Sequence, residues 1–269
     1  MTNFDFFIDG SIILIYLTLI LIIGIWLRKY ISNVDHFLVA NRGVDVYLGI
    51  ASLAATEFGI ATCMANAELG FKYGLKGIIP GIALGGSMLI VGATGFCIKP
   101  LRNMAVITIP ELLEKKFGKN IRWASGLVIV IGGLLNMGLF LRQAGSFLSI
   151  TIGIDQGYLE LLMTLILIFV GIYTVIGGMI SVIVTDYIQF VLMCFGFVTI
   201  TGILIYQFGW FQIIKGSSNY LGPESLYLNV NYNYGLDRLM LDILVAFGSV
   251  LTWQTMISRV LAAKDSTIA

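Results

Sequence analysis

Asp186 stands in the run 177–206, which is otherwise apolar for long enough to cross a bilayer. A carboxylate at that depth is costly and must find a cation, a water-filled cavity or a hydrogen-bonded partner, so it points to an ion pathway. The plainer role is that of a structural hydrogen-bond acceptor near the cytoplasmic end of its helix. Gln189 lies about one turn further along the same helical face and shares either role. A second carboxylate, Glu57, sits inside the apolar stretch 47–68 together with Ser52, Thr56, Thr62 and Gly59, where a smooth helix gains nothing from polar groups. The stretch 246–255, with Gly248, Ser249, Thr252, Gln254 and Thr255, repeats that character late in the chain. Helices interrupted at matching positions of two halves mark the binding site of transporters built on inverted repeats. Arg142 is a cation inside another apolar run. It either pairs with Glu57 and holds two helices together or meets a carboxylate on a substrate.

These groups need elements that carry them through lipid, and the composition supplies them. Hydrophobic residues make up 58% of the 269 and charged residues only 12%, and the mean hydropathy is +0.94. Such a chain is an integral membrane protein. Seven segments have the length and apolarity to span about 30 Å of hydrocarbon: about 11–27, 47–68, 77–98, 123–150, 159–180, 182–206 and 237–258. Asp5 and Asp9 precede the first span and Arg28 and Lys29 follow it, the reverse of a cleaved signal peptide. The N-terminus is therefore expected outside. That orientation puts Arg28, Lys29, Arg42, Lys99, Arg102, Lys115, Lys116, Lys119, Arg122, Arg259 and Lys264 on the cytoplasmic side. Only Lys72, Lys76, Lys215 and Arg238 fall outside, an asymmetry that satisfies the positive-inside rule for a plasma-membrane protein.

Cytoplasmic stretches are expected at about 28–46 and 99–122, and a longer external loop at about 207–236, rich in Asn, Tyr, Gly and Ser. Within the second cytoplasmic stretch, Ile109 to Gly118 reads as a short amphipathic helix opened by Pro110 and closed by Gly118. Most of the 31 glycines serve close helix packing. Cys63, Cys97 and Cys194 have no paired spacing and suggest neither a disulfide framework nor a thiolate metal site. His36, the single histidine, reads as an exposed loop residue. A formal net charge of +1 without a basic stripe argues against nucleic acid. No Ser/His/Asp order, HExxH or phosphate loop is present, so an enzyme is disfavoured and no cofactor is expected.

A set of strings in order along the chain resembles the sodium:solute symporters, the group of sodium-coupled sugar, proline, pantothenate and iodide carriers. They are Asp35 to Arg42, the Ala55-Thr56-Glu57 core, Thr108 to Glu111, Gly177-Gly178 through Thr185-Asp186 to Gln189, and Ser258-Arg259 running into Ala262-Ala263-Lys264-Asp265. The resemblance implies an all-α membrane protein with the LeuT-type fold, five plus five inverted-repeat helices preceded by one extra. On that map 1–46 is the leading helix and cytoplasmic loop, 47–206 the first five-helix repeat, 207–236 the external loop and 237–269 the start of a truncated second repeat. The resemblance also implies Na⁺ on the backbone carbonyls of Ala55 and Phe58, freed by an unwound turn. Family members complete ten core helices, so the chain is expected to be an N-terminal portion. Where the sugar branch has its contacts this chain has Thr62, Gly81 and Ser249, which disfavours a sugar; where the proline branch has Asp it has Glu57. The expected function is sodium-coupled symport of a small organic solute by alternating access, with Glu57, Thr62, Arg142, Ser249 and Gln254 as cavity candidates. The alternative is a transporter-like sensor module of a signalling protein.

Overall fold

Runs of Ile, Leu and Val without internal proline form α1, Ile8–Leu27, whose 20 residues cover about 30 Å at 1.5 Å per residue. The computed structural model describes residues 4–104, 106–229 and 234–269. Small parts of the expected leading unit, of the stretch 99–122 and of the loop 207–236 therefore lie outside the described residues. After α1 the chain turns into α2, Val34–Val39, where the Asn33 side chain accepts a hydrogen bond from the His36 amide at 2.9 Å. Asp45 caps α3, Val46–Glu57, by accepting from the Leu48 amide at 3.0 Å. The helix stops at Phe58 and resumes as α4, Ile60–Tyr73. A 3₁₀ turn over Gly74–Ile78 reverses the chain into α5, Ile79–Thr94.

Two short helices follow at the basic end of the bundle, α6, Ile98–Asn103, and α7, Ile109–Phe117. The second is the expected amphipathic helix: Thr108 accepts from the Glu111 amide at 3.3 Å, and Glu111 accepts from the Ile107 amide at 2.8 Å. The chain then crosses as α8, Lys119–Ile152. The longest element, α9, Leu159–Phe208, is two helices joined at Gly178, whose φ of 52° and ψ of −158° leave the helical region. A Cβ there would lie 2.8 Å from the Phe37 ring and 3.0 Å from the Phe37 carbonyl. Glycine alone suits both the backbone and the space.

The expected external loop is not simply a loop, since it holds a helix, α10, Trp210–Leu221, and a 3₁₀ turn over Pro223–Leu226. Trp210, Phe211, Ile213, Ile214 and Leu221 recur at helical spacing and the helix is amphipathic, which outweighs the loop-like content of Asn, Gly and Ser. The last pair is α11, Leu236–Thr252, and α12, Gln254–Ala262, bent by 49° at Trp253.

Among the described residues four helical stretches are long and apolar enough to cross a membrane, or five with the bent pair. The 53-residue stretch Gln156–Phe208 contains the Gly178 break, and the 35-residue stretch Ile60–Thr94 contains the turn after Tyr73. Each of the seven expected spans thus has a helical counterpart. Small residues set the packing of α1 on α9: a Cβ on Gly24 would lie 2.9 Å from Tyr173 Cβ, and one on Gly177 would lie 2.8 Å from the Gly24 carbonyl. At the basic end, Val39, Leu101, Val106, Ile257 and Leu261 form a buried cluster with Ile109 and Leu112 against it. A parallel bridge joins Val44 to Ala263, with Val44 N donating to Ala262 O at 3.1 Å and Lys264 N to Val44 O at 2.9 Å. The start of the first broken helix is thereby stitched to the end of the second.

Candidate functional site

Two interruptions and one buried ion pair define the site. At the first interruption the Phe58 amide still donates to Ala54 O at 3.0 Å, and the Cys63 amide to Gly59 O at 3.0 Å. Among the described residues no backbone amide beyond the break donates to the carbonyls of Ala55 or Phe58. Glu57 O accepts from the Thr62 hydroxyl at 2.8 Å, so that side chain bridges the gap. Gly59 is not needed for its conformational freedom: its φ of −82° and ψ of 178° suit any residue, and a Cβ there would meet nothing within 4 Å. The break rests instead on Phe58, at φ −101° and ψ 60°, whose ring packs edge-on against Phe197 of α9 at 5.1 Å. Unpaired carbonyls at a helix break are hard oxygen ligands suited to an alkali cation.

Asp186 lies just over two turns past the Gly178 break and is buried. Its Oδ2 accepts from the Ser52 hydroxyl of α3 at 2.6 Å and from Arg259 Nη2 of α12 at 2.8 Å. Arg259 Nε donates to Ser52 Oγ at 2.8 Å, and Nη1 to Thr255 O at 3.0 Å. Ser52 is 1% exposed, Asp186 8% and Arg259 8%, so the triad is taken out of contact with its surroundings. A lone buried charge of either sign would be untenable there, and the pair neutralises both. The triad also ties α3, α9 and α12 together within two turns of the basic end.

The other expected residues are placed as follows. Gln189 is half-buried and faces the Tyr16 hydroxyl of α1. Glu57 and Thr62 flank the first break and are half-buried, and Ser249 is half-buried one turn before Trp253, its carbonyl accepting from the Trp253 amide at 3.0 Å. Arg142 does not pair with Glu57; it is exposed on α8, a helix whose central window has no buried residues. Gln254 is committed elsewhere: its amide Nε2 donates to Ser258 Oγ at 3.2 Å, and its Oε1 accepts from the Ile109 amide at 3.4 Å, fastening α12 to α7. His36 is capped into α2, with its ring Nδ1 at 2.8 Å from Tyr30 O. The partners of Asp186 were not legible. Arg259 counts as a cytoplasmic cation in the loop tally, yet it is buried; Met256, Ile257, Val260 and Leu261 on either side are the signal that the helix continues through it.

The family model for the sodium:solute symporter family matches residues 37–269. The chain belongs to the sodium:solute symporter family. The sodium/glucose cotransporter 1 of Oryctolagus cuniculus is 28% identical over 214 residues, 76% of this chain and 31% of that protein. The high-affinity choline transporter 1 of Drosophila melanogaster is 28% identical over 268 residues, 95% of this chain and 40% of that one. This family member thus spans about a third of the length of the curated relatives it matches. The structure of a Na⁺-coupled sialic acid symporter in a substrate-bound, outward-open state superposes with a TM-score of 0.83, at 22% identity, over 98% of this chain and 55% of that one. The fold is LeuT-type and the protein is a multi-pass membrane protein of a transporter family, not an enzyme.

Proposed function

We propose that the chain forms the first part of a sodium-coupled symporter for a small organic solute, set in the plasma membrane with its N-terminus outside. In this reading 47–206 is the first inverted repeat and 237–269 opens the second. Na⁺ binds the carbonyls of Ala55 and Phe58, Asp186 and Gln189 lie on the cation's path, and Glu57, Thr62 and Ser249 line the solute cavity. Arg142, exposed on α8, and Gln254, whose amide is engaged with α7, are the further cavity candidates. The observation that carries the reading is the interruption at Phe58, which leaves two carbonyl oxygens without helical partners in the same helix that presents Ser52 to Asp186. Relatives named for glucose and for choline match at the same 28% identity, so similarity does not choose the solute. The matched relatives are transporters, which favours transport over the sensor reading.

The test is sodium-22 binding and sodium-dependent solute uptake by the intact gene product, with Asp186→Asn as the variant. Loss of the charge should raise the half-saturating Na⁺ concentration about tenfold, equivalent to about 1.4 kcal/mol of lost attraction. Unchanged sodium dependence with normal surface expression would remove Asp186 from the pathway. The 269-residue chain by itself should give no sodium-driven accumulation in vesicles, and accumulation there would refute the need for a second repeat.

A further inference from the structure

Arg259 meets Asp186 in an unsymmetrical way. The guanidinium and the Ser52 hydroxyl both engage Oδ2, whereas Oδ1 accepts no hydrogen bond among the described residues. Half of the carboxylate therefore keeps its lone pairs uncommitted to a protein donor among the described residues. Two further guanidinium contacts do not involve the carboxylate at all: Nη1 donates to Thr255 O one turn back on α12, and Nε donates to Ser52 Oγ. If Asp186 is taken by another cation, the Nη2 bond and the longer 3.3 Å contact from Nε to Oδ2 must be given up, while the bonds to Thr255 O and Ser52 Oγ can stay. A small cation on Oδ1 would stand a few ångströms from the guanidinium, and two positive charges so close in a weakly screened interior repel strongly. The carboxylate can hold one of them fully, not both. Arg259 is also carried on α12, beyond the 49° bend at Trp253, so its approach and withdrawal need only a small swing of a short helix about an existing break.

We propose that Arg259 is a tethered competitor for the cation at Asp186: it takes the carboxylate when the ion leaves and yields it when the ion arrives. This rests on Asp186 lying on the cation path. The ion then leaves without abandoning a bare buried carboxylate, because a neutralising charge is already at hand. Each release pulls α12 onto α3 and α9 through Ser52 and Asp186. Ser52 is the positioning residue, since it orients both partners by accepting from Arg259 Nε and donating to Asp186 Oδ2.

The experiment is equilibrium sodium-22 binding and sodium-22 dissociation on the purified intact gene product, with N-methylglucamine replacing Na⁺. Arg259→Gln removes the competitor, so the half-saturating Na⁺ concentration should fall about tenfold and dissociation should slow by a similar factor. A structural counter-ion predicts the opposite, weaker binding or none. Where Arg259→Gln does not reach the membrane folded, Ser52→Ala decides: it keeps both charges, loosens the pair, and should lower the half-saturating concentration about threefold. An unchanged or raised value in the deciding variant overturns the proposal. Asp186→Asn separates the two levels. Weakened sodium binding in Asp186→Asn together with no gain in Arg259→Gln defeats the competitor alone, whereas unchanged binding in Asp186→Asn defeats the pathway reading and this inference with it.

Discussion

Neutralising Asp186 should cost stability chiefly because of what it does to Arg259. The two side chains meet at 2.8 Å with only 12% and 8% of their surfaces exposed, so neither charge has water to fall back on. Removing one member of such a pair typically costs about 3–5 kcal/mol, because the survivor is left charged and desolvated. Asparagine keeps an acceptor for the Ser52 hydroxyl and for Nη2, which moves the expected cost of Asp186→Asn to the lower end, about 3 kcal/mol. Arg259→Gln should cost about the same for the mirror reason. The double variant places two neutral amides side by side, leaves no buried charge, and should fall well short of the sum, with a coupling of about 2 kcal/mol or more. Thermal unfolding in detergent, followed by tryptophan fluorescence, reads this directly. The single variants should lose roughly 6–12 °C at about 2–4 °C per kcal/mol, and the double should fall short of the summed losses by about 4–8 °C or more. If the two losses simply add to within about 0.5 kcal/mol, the residues are not coupled. The triad would then not be the fastener described above.

Other outcomes follow from the backbone. Gly178→Ala should cost about 1–3 kcal/mol from its φ of 52°, and more from the contact with Phe37, seen as a lower melting temperature; Gly59→Ala should stay within about 0.5 kcal/mol, since nothing crowds it. Equal losses at the two glycines would contradict the geometry. Thr108→Ala removes the cap of α7 and should cost about 1 kcal/mol, with amide exchange of 109–117 rising while that of α8 does not. Unchanged protection of α7 would mean that Thr108 does not set its start.

What the sequence alone discloses depends on how local the cause is. Helix formation is local, so each of the seven expected segments holds helix, although among the described residues only four stretches, or five with the bent pair, qualify as spans; the polar cluster around Glu57 and the one around Thr252 coincide with the two interrupted helices. The cost of a carboxylate in lipid is local too, which is why Asp186 stood out. Its partners are not local: Ser52 and Arg259 lie 134 and 73 residues away, and no window along the chain joins them. Gly59 misled in a different manner, since a glycine beside a break invites an explanation by flexibility while the deviation belongs to Phe58. The helix at 210–221 was hidden by composition, because Gly216, Ser217, Ser218 and Asn219 run together inside it.

The distance between Asp186 and Arg259 has a meaning in time as well as in space. Synthesis at about 5–20 residues per second separates the two by about 4–15 s, given their 73-residue spacing. Throughout that interval the helix bearing Asp186 is already made while the cation that neutralises it is not. A carboxylate waiting in such surroundings is costly unless it stays near water, so its helix cannot settle to full depth until the last helix of this chain follows. Insertion and assembly of the earlier helices are in this way held open for Arg259, and a nascent chain stopped short of it carries a helix that the bilayer has reason to reject.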